Sequence, residues 1–477
     1  MNKQECAIKY VEDNYLQFNR LRHDIIADKL QVRCAHPIGD RLRAPHDTSV
    51  AGDPIEAKGE RQEQWREMTK HDINSIVCHA AQEYDANITS REVMTALQSD
   101  LIPDVHPLRE YILSLPPFTP DQPDWIDFVA SQVRVRTNNN EDTLIQQPKQ
   151  QITNNIPLAN TASGEGNNPI PSASEPSEHL NISSADRLWR GCFKKWFVAM
   201  VASWMKDEVV NHQVLVLIGK QGIFKTTWLE HLIPPHLRAY ACKLANSNDL
   251  NKDERLRIAE FGLISLDEID SMNNRELNQL KSVITATDVN ERAAYAYTKE
   301  RRVRLASFCA SGNRRDFLTD ITGNRRWLPF EVESIQNPFY TILPYERMYA
   351  QAWALAQDPL FSYWFDLDEI EVLEEHNQHF RDESNEEQLL PILFDVPAEG
   401  KGEFMTTAQI SERLVTYGNI KKPMALGRLG VLMGSMGYRS VTRGNRQARL
   451  RGWIVYQRDT EEIAANKKLL AKECVTV

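Results

Sequence analysis

Five consecutive apolar residues, Val214–Ile218 (VLVLI), run straight into a glycine-bearing loop. An unbroken run of this length suits a strand buried on both faces, because a half-exposed strand alternates apolar with polar residues. Residues 261–266 (FGLISL) and 303–310 (VRLASFCA) read as a second and a third buried strand. Helical stretches separate the three, so the expected architecture is α/β, a parallel sheet covered by helices on both faces. At 477 residues and 42% apolar content, the chain has material for that core and for further domains.

The loop after the first strand reads Gly219-Lys220-Gln221-Gly222-Ile223-Phe224-Lys225-Thr226 and opens a helix. Against the phosphate-binding pattern GxxxxGK[ST] it keeps the first glycine, the lysine and the hydroxyl residue. Backbone N–H groups of Gly219 and Gly222 and their neighbours would face a phosphate, Lys225 would add a point charge, and Thr226 would ligate Mg²⁺. Phe224 stands where the pattern has glycine, and its side chain restricts the loop and crowds the phosphates.

The second strand ends in adjacent carboxylates, Asp267 and Glu268. A parallel sheet brings that end beside the phosphate loop, where Asp267 would hold Mg²⁺ through water and Glu268 would polarise an attacking water. The third strand leads to Ser311-Gly312-Asn313, and Asn313 at its end is suited to contact a γ-phosphate or the lytic water. Arg325 and Arg326 follow in TGNRRWLP, two guanidinium groups able to reach the γ-phosphate of a neighbouring subunit.

From about residue 106 to residue 332 the order of motifs resembles the virulence-associated E (VirE/VapE) family of mobile-element P-loop ATPases, relatives of superfamily III helicases. The segments carrying the resemblance are HPLREYILSL, VLVLIGKQGIFKTTWL, LISLDEID, LKSVITATDVNERAAYAY and SGNRRDFLTDITGNRRWLPFEV. It implies an AAA+-like P-loop NTPase fold using ATP and Mg²⁺. It also implies that Gly219, Gly222, Lys225, Thr226, Asp267, Glu268, Asn313, Arg325 and Arg326 are the ATPase residues. Many members carry a primase domain; no primase-like acidic triad precedes His106, so a primase is expected only as a separate partner.

Around this core the chain divides by composition. Residues 1–136 read as mostly helical, with helical spacing at 65–83 and 89–98; His106 beside Pro107 reads as structural. Residues 137–184 are rich in Asn, Gln, Pro and Ser without an aromatic residue, the composition of a disordered linker. Residues 185–345 hold the ATPase core, preceded by an amphipathic helix at 186–205 whose tryptophans suit core packing better than base stacking. Residues 346–400 form a helical acidic connector, with ten acids against Arg381 over 366–387.

Two stretches invite nucleic acid. Residues 291–304 interleave Arg292, Lys299, Arg301, Arg302 and Arg304 with Tyr295 and Tyr297, which suits single-stranded DNA in a pore and equally a solvated hairpin. Residues 421–458 carry nine Lys/Arg and no acid. There a helix, a second helix and a hairpin bearing Arg439, Arg443, Arg446 and Arg449 fit a winged-helix-like domain over 401–460 that engages duplex DNA, with a basic protein-interaction domain as the alternative, before a tail at 461–477. The formal net charge of −10 makes any such attraction local. Seven scattered cysteines without a CxxC pair suit reduced thiols in a cytoplasm, and no apolar run suits a membrane span.

The expected activity is that of an ATP-dependent DNA helicase or translocase of a mobile element, working as a homo-oligomeric ring such as a hexamer. The competing expectation is a nucleotide-dependent DNA-binding switch or adaptor in phage defence or transposition, with little turnover.

Overall fold

The computed structural model describes residues 2–33, 65–136, 183–244, 252–291, 300–318, 324–397, 402–444 and 449–473. The expected linker at 137–184 falls almost wholly outside them; at its end, Ser183 caps the following helix by accepting from the Asp186 N–H.

The N-terminal part combines its helices with a small sheet that the spacing did not announce. α1 (Lys3–Val11) is followed by β1 (Leu21–Asp24), β2 (Lys29–Arg33) and β3 (Trp65–Glu67), then α2 (Lys70–Glu83), α3 (Ser90–Leu97) and β4 (Asp104–Val105). The strands form a sheet in the order β3-β2-β1-β4. Helical spacing at 65–83 overruns a real boundary. Thr69 and Asp72 form a capping box that starts α2, leaving Trp65 in a strand with the Arg22 guanidinium over its ring at 4.1 Å.

The core of this part runs from Cys6 to Ile102, whereas Leu108 and Ile112 belong to the central core. From Leu108 onward the buried residues of this part join the central core, which also takes Ile26. α4 (Pro107–Ser114), α5 (Trp125–Ala130) and β5 (Val133–Val135) already serve the next unit. His106 caps α4, its Nδ1 accepting from the Arg109 N–H at 3.2 Å, which is a structural task.

α6 (Ser184–Met205) leads to β6 (Val214–Ile218), α7 (Lys225–His231), β7 (Ala241–Leu244), α8 (Lys252–Glu260), β8 (Leu263–Leu266) and α9 (Asn274–Thr285). Then come β9 (Asp288–Glu291), β10 (Glu300–Val303), β11 (Ser307–Gly312) and β12 (Trp327–Ile335). The central sheet has the order β5-β12-β6-β11-β8-β7, parallel throughout except for β5. Val214 stands opposite Phe308 and Trp327, and Ile218 opposite Gly312 and Glu331.

Both faces of β6 are buried, as its apolar run requires. Leu215 and Leu217 enter a core with α5, α6 and α7; Val214, Val216 and Ile218 enter another with α8 and α9. Each such side chain contributes about 1.5–3 kcal/mol through burial. The α6 tryptophans are core residues, fully buried. Trp189, Trp196 and Trp204 donate their indole N–H to the carbonyls of Ala130, Phe308 and Gly262. The expected strand at 303–310 is two elements: Val303 closes the β9–β10 hairpin, and β11 begins at Ser307.

α10 (Tyr345–Gln357), α11 (Leu367–Gln378) and α12 (Asn385–Leu393) follow. The acidic connector keeps most of its acids exposed and buries Leu373 and Phe380. Glu369 is buried against the Lys195 ammonium at 2.5 Å, and Asn377 donates to the carbonyls of Asn324 and Trp327. Beyond β13 (Phe394–Asp395) lie β14 (Glu403–Met405), α13 (Thr407–Gly418), α14 (Leu426–Ser435), β15 (Arg439–Arg443), β16 (Leu450–Gln457) and α15 (Thr460–Glu473). The Thr406–Gln409 capping box starts α13, and β16 pairs antiparallel with β13, β14 and β15. Among the described residues no helix is long and apolar enough to cross a membrane.

Candidate functional site

The loop at 219–226 leaves the carboxyl end of β6, between β12 and β11, where the sheet's connections diverge to opposite sides. Ligands of open α/β sheets bind in the crevice at such a point. The Gly219 N–H donates to the Gly312 carbonyl at 3.1 Å, fastening the loop to the end of β11. A Cβ on Gly219 would lie 2.6 Å from the Val332 carbonyl oxygen, so only glycine fits. Gly222 turns the chain at φ +85°.

Phe224 occupies the left-handed region, φ 67° and ψ 17°, immediately before α7. That is the conformation for which the pattern uses glycine, and a bulky residue holds it only under strain. Its ring meets Phe339 edge to face, with centroids 6.4 Å apart.

Lys225 is buried, and its ammonium donates to the carbonyls of Gly219 and Lys220, both at 2.7 Å, and to Asn313 Oδ1 at 3.3 Å. Burial lowers its pKa, against the pull of Asp270 and Asp267. Thr226 Oγ1 donates to Asp267 Oδ1 at 3.2 Å and lies 2.9 Å from Ser311 Oγ, which itself donates to the same carboxylate oxygen at 2.7 Å. Partial burial pushes the Asp267 carboxyl up, but the Lys243, Ser311 and Thr226 donors bring it below the ordinary carboxylate range. Asp267 is therefore an anion at neutral pH.

Glu268 is exposed beside it, at φ 52°, opening a short turn over Ile269–Ser271. The structure thus brings Gly219, Gly222, Lys225, Thr226, Asp267, Glu268 and Asn313 to one edge of the sheet. Arg325 and Arg326 are not there. They precede Trp327, which pairs with Val214 at the start of β6, so they lie at the opposite, amino-terminal edge.

Three residues at the site carry little sequence signal. Lys243 of β7 pairs with Asp267 at 2.9 Å, and nothing local marks it. Ser311 is a small residue ending a strand. Asp270, third acid of LDEID, accepts from the backbone N–H groups of Asn313 and Arg314 at 3.2 and 3.1 Å and so holds the asparagine's loop.

Among the described residues no three His, Cys, Asp or Glu side chains gather to hold a metal. One carboxylate and one hydroxyl side by side suit Mg²⁺, which takes few protein ligands and shares its shell with water and phosphate oxygens. The donor set at Asp267 and Thr226 fits that ion.

The candidate nucleic-acid residues separate sharply. Arg304 cannot touch DNA. It is 1% exposed, and its guanidinium donates to the carbonyls of Ala306, Ile284, Ala286 and Asn211. Arg301 pairs with Asp288 at 2.5 Å and Arg302 with Asp28 at 3.1 Å. Arg439, Arg443 and Arg449 are exposed on the C-terminal hairpin. Arg292, Lys299 and Arg446 lie outside the described residues.

No curated protein matches this chain. Among solved structures it is similar to "The apo structure of NrS-1 C terminal region (305-718)", at 10% identity and a TM-score of 0.43, covering 95% of this chain and 100% of that one. It is also similar to the A form of that apo region, at 9% identity and a TM-score of 0.41, covering 94% and 99%. Scores this low carry no argument. Residues 174–387, a little under half of the chain, match the family model of the virulence-associated protein E-like domain.

Proposed function

We propose that this protein is an ATPase of the P-loop class that acts on DNA in the replication of a mobile element. The observation that supports it most is the convergence of Lys225, Thr226, Asp267, Ser311 and Asn313 at the carboxyl ends of three adjacent parallel strands, β6, β8 and β11. Lys225, released from its loop carbonyls, would meet the β- and γ-phosphates. Thr226 and Asp267 would hold Mg²⁺, which when bound neutralises charge on the phosphoryl oxygens. Glu268, exposed beside Asp267, would orient and polarise the attacking water, and Asn313 would contact the γ-phosphate.

Arg325 and Arg326, on the far edge of the sheet, are proposed to serve a neighbouring copy's nucleotide in a homo-oligomer with ATP between subunits. The C-terminal unit, two helices followed by an antiparallel hairpin with exposed arginines, is proposed as a winged-helix module for duplex DNA. The β9–β10 hairpin, whose Arg301 and Arg302 already face acids, is proposed as the weaker contact, to single-stranded DNA.

The test is calorimetric and kinetic. Lys225→Ala should abolish Mg-ATP binding, and Glu268→Gln should retain ATP while phosphate release falls about 100-fold or more. Unchanged hydrolysis by Glu268→Gln would overturn its role. A second reading, a nucleotide-dependent DNA-binding switch with weak turnover, draws support from strained Phe224 and from Lys243 neutralising Asp267. Strong DNA stimulation of phosphate release selects the motor; tight ATP binding without release selects the switch.

A further inference from the structure

Phe339 is out of place in a solvent-facing loop. It is 68% exposed, followed by Tyr340 at 86%, yet its position is fixed. Its N–H donates to Asn337 Oδ1 at 3.0 Å, and the N–H of Tyr340 donates to the Asn337 carbonyl at 3.1 Å. The loop is anchored at both ends. The Gln336 N–H donates to the Gln132 carbonyl at 2.9 Å, and the Tyr345 hydroxyl donates to the His231 carbonyl at 2.7 Å.

Two rings hold Phe339 against α7. Phe224 stands 6.4 Å away at 81°, and His231 stands 5.6 Å away at 84°. His231 is itself oriented, its Nδ1 lying 2.7 Å from the Thr227 carbonyl oxygen. Phe224 precedes the helix and His231 ends it, and both rings meet the one Phe339 ring. The aromatic surface therefore starts within the glycine-bearing loop and reaches the end of α7. A nucleotide whose phosphates lie in the loop must send its ribose and base out of it, and this strip offers the base an apolar, π-bearing surface within reach.

We infer that Phe339, backed by Phe224 and His231, is the platform on which the base of the bound nucleotide stacks, favouring purines for their larger ring area. The inference rests on the nucleotide reading of the loop and adds the base-recognition element to it. It also gives Phe224 a task. The residue that departs from the glycine of the pattern supports the platform through its ring, which offsets the strain of its backbone.

Titration of the full chain with two probes, ATP and inorganic tripolyphosphate, separates the claims. Phe339→Ala should weaken ATP about tenfold and leave tripolyphosphate unchanged, with Phe339→Trp restoring ATP. CTP should bind the unsubstituted chain more weakly than ATP and lose less on Phe339→Ala. Equal loss of ATP and tripolyphosphate, or no loss of either, would overturn the platform while leaving the loop's role standing. So would unchanged ATP affinity with reduced self-association in light scattering, which would assign the patch to a second copy of the chain. If the unsubstituted chain binds neither probe, the nucleotide reading fails and the platform with it. Because Phe339 is mostly exposed, the substitution does not put folding at risk.

Discussion

The two basic stretches, the β9–β10 hairpin with its continuation to Arg304 and the β15–β16 hairpin, look alike as strings of arginines and differ as objects. In the first, burial and nearby acids consume the charge. Arg304 is sunk among four carbonyls, Arg301 faces Asp288, and Arg302 faces Asp28 across from the N-terminal unit. In the second, no acid occurs between residues 421 and 458, and Arg439, Arg443, Arg449 and Arg451 are all exposed. A count of cations ranks the stretches as equals; their acceptors do not. Charge available to a phosphate is what remains after the protein's own acceptors have been served.

That contrast can be broken most severely at Arg304. Arg304→Ala leaves several buried carbonyls without a donor and should lower stability by about 3–5 kcal/mol, read from the urea midpoint. A variant as stable as the parent would show that the guanidinium does not hold the β10–β11 junction together.

Burial acts on histidines in the same sense. His106 and His376 are both held neutral, with pKa values lowered to about 4, burial being the main cause in each. His106 Nδ1 accepts from Arg109, and His376 Nε2 lies 2.7 Å from the Pro329 carbonyl. Below its ordinary pKa of about 6.5 each would be protonated in the unfolded chain but not in the folded one. Their contribution is complete above about pH 6.5 and drains away as pH falls, by about 2 kcal/mol each at pH 5. Urea midpoints between pH 7.5 and 5 should show this decline, and His376→Gln should make it shallower.

The exposed hairpin should respond in the opposite way. Arg439→Ala with Arg443→Ala should change stability by no more than about 0.5 kcal/mol. The same pair should weaken duplex DNA binding and flatten its salt dependence by about one unit of slope per lost phosphate contact. Arg301→Ala, which breaks one exposed ion pair, should change stability by less than about 0.5 kcal/mol and DNA affinity less than the double variant does. Equal losses of DNA affinity in the two hairpins would erase the distinction.

Much of the site was legible because its signals are local. The run at Val214–Ile218 becomes β6 with the same bounds, and the Thr406–Gln409 box starts α13 where the spacing places it. Asp267 falls beside Thr226 because a parallel strand ending in acids has few other places to go. Boundaries failed where the signal was short: β1 to β4 have between two and five residues each, too few for a period to register. The pairing of β5 was illegible for another reason. β5 is contiguous in sequence with the N-terminal unit but pairs with β12, nearly two hundred residues later, a choice made by the edge of the finished sheet.

By itself, then, the sequence determined the class of the fold, the buried strands, several helix starts and the order of the phosphate-loop, acid and asparagine motifs. Each of these is written in apolar spacing or in contacts across three or four residues. Only the tertiary structure decided that Lys243 and Ser311 complete the surroundings of Asp267, that Arg304 is buried while Arg439 is not, that Arg325 and Arg326 stand at the far edge, and that Phe339 lies against Phe224. Those outcomes depend on which strands become neighbours and which ends of them coincide. Long crossovers and the packing of a two-faced sheet settle that, and no window of the chain contains it.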